Sequence, residues 1–133
     1  MRKIDKIIIH CTATPEGRDV SVDQVTAWHK ARGFRTIGYH YLIDIRGKIE
    51  AGRDEAEVGA HCTGRNARSI GICYVGGLDR DTLKPKDTRT EAQKLALRKL
   101  VETLQLRYPG ATVHGHNEFA AKACPCFRVS VDL

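Results

Sequence analysis

Residues 6–10 read Lys-Ile-Ile-Ile-His, and no other part of the chain restricts the fold so strongly. Neighbours along a strand point to opposite faces, so three consecutive β-branched side chains place apolar groups on both. The run reads as a buried strand, and a buried sheet needs layers that cover it. Two later segments have the pattern of amphipathic helices. Ser21 opens the first, Gln24 completes a capping box, Val22, Val25, Trp28 and Arg32 keep helical spacing, and Gly33 is the stop. Thr90 with Gln93 repeats the box, Leu97, Leu100, Val101, Leu104 and Tyr108 form an apolar stripe, and Pro109-Gly110 ends it.

Further strands are expected over 37–45, over 48–51 after an Arg46-Gly47 turn, over 69–75 and over 111–115. Residues 14–17, 52–68 and 78–89 read as loop, and the chain after 115 as irregular. Within 37–45, alternation puts Tyr39 and Tyr41 on one face and His40 on the other. The order β-α-β-β-β-α-β predicts a single α/β domain over residues 1–133, a central mixed β-sheet flanked by helices.

The net charge of +6 favours an anionic partner, and the 22 basic residues fall evenly, 11 in residues 1–66 and 11 in 67–133, so there is no basic tail. Helix-turn-helix, finger and RNP-like patterns are all lacking, and one Trp, four Tyr and three Phe offer little stacking surface. No nucleic-acid partner is expected. No run approaches the ~20 apolar residues of a membrane span. The N-terminus lacks the roughly 7–15-residue apolar stretch of a secretory signal, so synthesis in the cytoplasm is expected. Five cysteines cannot all pair within one chain, which argues against a disulfide scaffold.

Metal-type ligands stand at expected strand ends, His10 and the pair His114 and His116, and Cys124 follows eight residues after His116. Two imidazoles and one thiolate leave a fourth tetrahedral position open on zinc, the arrangement of a catalytic site. The residues by themselves leave other readings open. A histidine after an apolar strand is often a satisfied core residue, and His-x-His can be a solvated strand end. Cys124-x-Cys126 has the form of half a Cys-rich site, although no second pair stands at finger-like spacing. Tyr39 has a core explanation, and Lys122, two residues before Cys124, has a surface one. His61 sits in a small-residue loop that suits either a bound ligand or a tight turn.

Several strings in register resolve these alternatives. They are Ile9-His10-Cys11-Thr12-Ala13-Thr14, Trp28-His29-Lys30, Gly38-Tyr39-His40-Tyr41 and Glu50-Ala51-Gly52-Arg53-Asp54-Glu55. They continue with Val58-Gly59-Ala60-His61, Asn66, Ser69-Ile70-Gly71-Ile72-Cys73, Val75-Gly76-Gly77, Gly115-His116-Asn117-Glu118 and Lys122-Ala123-Cys124-Pro125. With them the sequence resembles the zinc-dependent N-acetylmuramoyl-L-alanine amidases of the amidase-2 and peptidoglycan-recognition-protein superfamily, above all the small phage amidase-type lysozymes.

The resemblance implies one Zn2+ per chain on His10, His116 and Cys124, catalytic roles for Tyr39 and Lys122, and muropeptide contacts at His61 and Asn66. Glu118 is expected to orient a ligand or cap local backbone. The implied reaction is hydrolysis of the amide between N-acetylmuramic acid and L-alanine in peptidoglycan, by a monomer that reaches the cell wall after release or delivery. The competing expectation is a module that binds muropeptide without cutting it, but relatives of that kind typically lack the cysteine ligand. The sequence departs from the family at Cys126, where relatives usually carry a small non-cysteine residue, and its segment after Cys124-Pro125 is short.

Overall fold

The Ile7-Ile8-Ile9 run lies in β1 (Lys6–Cys11), inside a five-stranded sheet. The computed structural model describes residues 2–133; Met1, the first residue of the expected domain, lies outside the described residues. The other strands are β3 (Tyr41–Ile43), β4 (Ile49–Ala51), β5 (Ser69–Tyr74) and β7 (Thr112–Gly115), in the spatial order β4-β3-β5-β1-β7. β1 runs parallel to β5 and β7, β3 runs parallel to β5, and β4 closes an antiparallel hairpin on β3. The sheet is therefore mixed, as expected.

Alternation divides the apolar residues between two layers. Ile7, Ile9, Ile70, Ile72 and Tyr74 pack against Leu97, Leu100, Val101 and Leu104 of α2 (Glu91–Arg107). On the other face Leu42, Cys73 and Val75 meet Val20, Val25 and Ile37 around α1 (Val22–Ala31). Both capping boxes form: the Ser21 and Thr90 hydroxyls accept from the N–H groups of Gln24 and Gln93. Each cap contributes about 1 kcal/mol. His10 follows Ile9, so its side chain emerges on the α1 side, at the C-terminal end of β1. Strand ends of this kind are where α/β sheets place their sites.

Three details differ from the sequence reading. A two-residue parallel pair, β2 (Thr14–Pro15) with β6 (Gly77–Leu78), occupies segments that read as loop. It continues the β1–β5 pairing through Thr12 N–H to Tyr74 O and Thr14 N–H to Gly76 O, a tertiary effect without a local signal. A short helix, α3 (Val129–Asp132), ends the chain and buries Val129. Tyr39 and Tyr41 do not share a face: Tyr39 packs on the α1 layer and Tyr41 on the α2 layer. Regular strand geometry begins only at Tyr41, because the Gly71 N–H is taken by His40 Nδ1 at 3.0 Å rather than by a backbone carbonyl.

Candidate metal centre and active site

Three chain segments converge at the end of β1. His10 is buried, His116 opens a 3-10 turn directly after β7, and Cys124 stands in the turn before Pro125. One ligand atom from each lies within 4.8 Å of the other two. The His10 and His116 rings are 4.6 Å apart, and Cys124 Sγ is 3.9 Å from His10 Nδ1. The Cys11 N–H donates to Cys124 Sγ at 3.2 Å, a backbone contact that fixes the sulfur beside His10. Among the described residues this is the one such gathering of metal-ligating side chains.

His114 stands outside it. Its ring spans Thr112 Oγ1 at 2.7 Å and Glu118 Oε1 at 2.8 Å, while Glu118 Oε2 accepts from the Gly115 N–H at 2.7 Å. Glu118 thus ties down the turn that carries His116.

Behind the cluster, His10 Nε2 meets His61 Nδ1 at 2.9 Å, and His61 Nε2 meets Ser69 Oγ at 3.3 Å. Asn66 Oδ1 accepts from the N–H groups of His61 and Cys62, at 3.0 and 2.9 Å, and so fixes the loop that presents His61. Gly71 leaves room for the ring: a Cβ there would stand 2.7 Å from His61 Cγ and Cδ2. Burial, followed by the neighbouring His61, His116 and Lys122 charges, drives His10 well below the usual imidazole range. Burial, then His40 and His116, lowers His61 to about 3. Both rings are neutral at physiological pH, the state a metal ligand and its support require.

In front of the cluster lies a cavity of about 320 Å³. His10, His61, Tyr39, Asn66, His116 and Lys122 all reach it. The Tyr39 ring packs 5.1 Å from His10 and 5.3 Å from His29. Burial, with Cys73 and Cys124 adding negative potential, raises the Tyr39 phenol well above its ordinary range, so it stays a proton donor. Arg32 and Phe34 also line the cavity, stacked with the guanidinium 5.0 Å from the ring centre, and sequence reasoning missed both. Arg32 reads in the sequence only as the last helically spaced position before the Gly33 stop, and Phe34 carries no local signal. His29 belongs to the matched string Trp28-His29-Lys30 but has no role assigned from the sequence; its Nδ1 accepts from the Gly38 N–H at 2.8 Å and fixes the segment before Tyr39.

Two neutral imidazoles, one thiol held by a backbone donor and an adjacent cavity fit a metal with three protein ligands and an open position. The second ring nitrogen of His10 is already engaged, as orientation of a ligand requires.

The chain resembles known proteins over most of its length. The family model described as N-acetylmuramoyl-L-alanine amidase matches residues 1–127. An endolysin of Escherichia phage T7 is 46% identical over 123 residues, covering 92% of this chain and 81% of the relative. An endolysin of Klebsiella phage KP32 is 42% identical over 126 residues, covering 95% and 83%. Among solved structures, the N-acetylmuramoyl-L-alanine amidase LysC from Clostridium intestinale URNW superposes with a TM-score of 0.80 at 28% identity, covering 93% of this chain and 77% of that one.

Proposed function

The chain belongs to the N-acetylmuramoyl-L-alanine amidase family, and from that premise we propose that it cleaves the N-acetylmuramoyl-L-alanine bond of peptidoglycan with one zinc ion on His10, His116 and Cys124. The observation that carries this reading is the approach of those three ligand atoms to within 4.8 Å beside a cavity lined by Tyr39 and Lys122. Zinc, when bound, supplies Lewis acidity toward the amide carbonyl and the attacking water.

The chain's own residues do the rest. Tyr39 Oη–H donates a hydrogen bond to the oxygen on which negative charge develops, and the Lys122 ammonium stabilises the same charge from the cavity wall. Both hold a proton within reach of the departing amine, which must be protonated to leave. His61 keeps the His10 ring in place, and Asn66 holds the His61 loop while its amide faces the muropeptide. We assign these roles to one catalytic domain over residues 1–133, proposed to act as a monomer. No helix among the described residues is long and apolar enough to cross a membrane; the enzyme is proposed to reach the cell wall after release or delivery.

Digestion of defined peptidoglycan, with products identified by mass spectrometry, tests the reading. The expected products are glycan strands with free lactyl carboxylates and stem peptides with free L-alanine amino groups, with chelator abolishing both. Cleavage inside the peptide or the glycan would overturn it, as would binding without any product, the behaviour of a recognition module.

A further inference from the structure

Cys11 and Cys126 are both free thiols, and their sulfurs are 3.9 Å apart. Cys11 closes β1 immediately after His10, and Cys126 closes the turn that carries Cys124. The Cys126 N–H donates to Ala123 O at 2.7 Å, and the residue is held at φ +69, where a side chain other than glycine is uncommon. The pair shares one enclosure with Gly77: a Cβ on that glycine would stand 2.5 Å from the Cys11 sulfur and 3.6 Å from that of Cys126. Cys11 is buried and Cys126 half-buried, so an oxidant in solution reaches the second first. None of the site roles described above uses either sulfur.

We propose that Cys11 and Cys126 form a disulfide in an oxidising compartment, stapling the Cys124 turn to the strand of His10 while the metal stays in place. The sulfurs are in van der Waals contact and need to close less than roughly 2 Å to reach bonding distance. The oxidant is a small disulfide, RSSR. Cys126 sulfur attacks it, breaking the RS–SR bond, forming Cys126–S–SR and releasing one RSH that carries the thiol proton. Cys11 sulfur then displaces the second RS group, forming the Cys11–Cys126 bond and releasing a second RSH. The net change is two protein thiols oxidised and one RSSR reduced to two RSH.

The compartment follows from the proposed amidase reading, because peptidoglycan lies outside the reducing cytoplasm; the pairing itself does not depend on it. With zinc bound, Cys124 is occupied and Cys126 is the thiol left facing Cys11. The staple joins segments that supply two ligands, so it opposes the separation by which metal is lost. Cys11 is buried, so the incubation runs to equilibrium.

The test is incubation of the zinc-loaded protein with oxidised glutathione, followed by alkylation of the remaining thiols, peptide mapping and metal analysis. The expected result is two thiols lost, a Cys11–Cys126 peptide, unchanged zinc content, and transfer of zinc to a competing chelator slowed several-fold. The Cys126→Ser protein should form no internal bond and release zinc at the reduced wild-type rate. Cys11 and Cys126 both remaining alkylatable, a mixed glutathione adduct without an internal bond, a bond that includes Cys124, or zinc lost as the bond forms would each overturn the proposal. None of these readouts requires cleavage of peptidoglycan, so failure here is separable from failure of the amidase reading.

Discussion

His10 and His61 meet nitrogen to nitrogen, Nε2 to Nδ1 at 2.9 Å, and with zinc on its proposed ligands this contact dictates how protons are distributed behind it. A ligating nitrogen carries no proton. His10 Nδ1 faces Cys124 Sγ, so with Nδ1 as the proposed zinc ligand the His10 proton sits on Nε2 and is donated to His61 Nδ1. The His61 proton is then on Nε2, directed at Ser69 Oγ. His61→Ala should weaken zinc binding by roughly 10–100-fold without unfolding the protein. His61→Asn, which restores an acceptor, should lose less. Competition titrations against a chromogenic chelator read both, and equal affinity in all three proteins would remove His61 from the support of the metal.

Tyr39 tests the chemistry apart from the metal. Tyr39→Phe deletes one hydroxyl, keeps the ring packed on His10 and His29, and should leave zinc stoichiometry unchanged. If the phenol donates to the developing oxyanion, kcat should fall by about 10²–10³. Lys122→Ala should likewise keep zinc and fold while losing most turnover, because Lys122 is exposed. Full turnover in either variant would withdraw that residue from the reaction.

Much of this site was legible in the sequence, and the rest was hidden for physical reasons. Apolar runs and capping boxes report directly on burial and on helix ends, so β1, α1 and α2 could be read from local chemistry. The expected ligands also meet in space. The network behind them was not legible, because its contacts join residues far apart in the chain. Nothing near His61 indicates that its ring lies against Gly71 and reaches His10. The Tyr39 and Tyr41 faces were misread because a side chain, His40, replaced a ladder carbonyl.

The two histidines flanking Gly115 should separate cleanly. His116→Ala should abolish stoichiometric zinc binding. His114→Ala should keep it, because the His114 ring is spent on Thr112 and Glu118. Metal analysis of purified proteins decides, and loss of zinc in the His114 variant alone would reverse the assignment.

Stability of the metal-free protein should rise with pH through the histidine range. The unfolded chain protonates His61 near 6.5, the folded protein only near 3. Between those values the unfolded state binds more protons, so the stabilisation is complete above 6.5 and is lost as pH falls toward 3. His10, His29 and His40, lowered chiefly by burial, act with the same sign. Urea unfolding between roughly pH 5 and 6.5, above the usual carboxylate range, isolates this effect. His61→Asn should reduce the slope by up to about 1.4 kcal/mol per pH unit, the value for one proton. An unchanged slope would mean that His61 is protonated in the folded state.

Gly71 offers the sharpest test of how fold and site are joined. Its backbone is not in the left-handed region, so alanine meets no intrinsic conformational penalty there and would reduce the freedom of the unfolded chain. The added Cβ, however, would press on the His61 ring from 2.7 Å, and that ring is held between His10 and Ser69. Overpacking of this kind costs about 1–3 kcal/mol, more than alanine returns. Gly71→Ala should therefore lower the urea midpoint and weaken zinc binding to a degree close to His61→Ala. In the double variant the ring that clashes is gone, so the stability loss should fall well short of the sum of the single losses. Strict additivity in that cycle would show that Gly71 acts on stability through something other than His61.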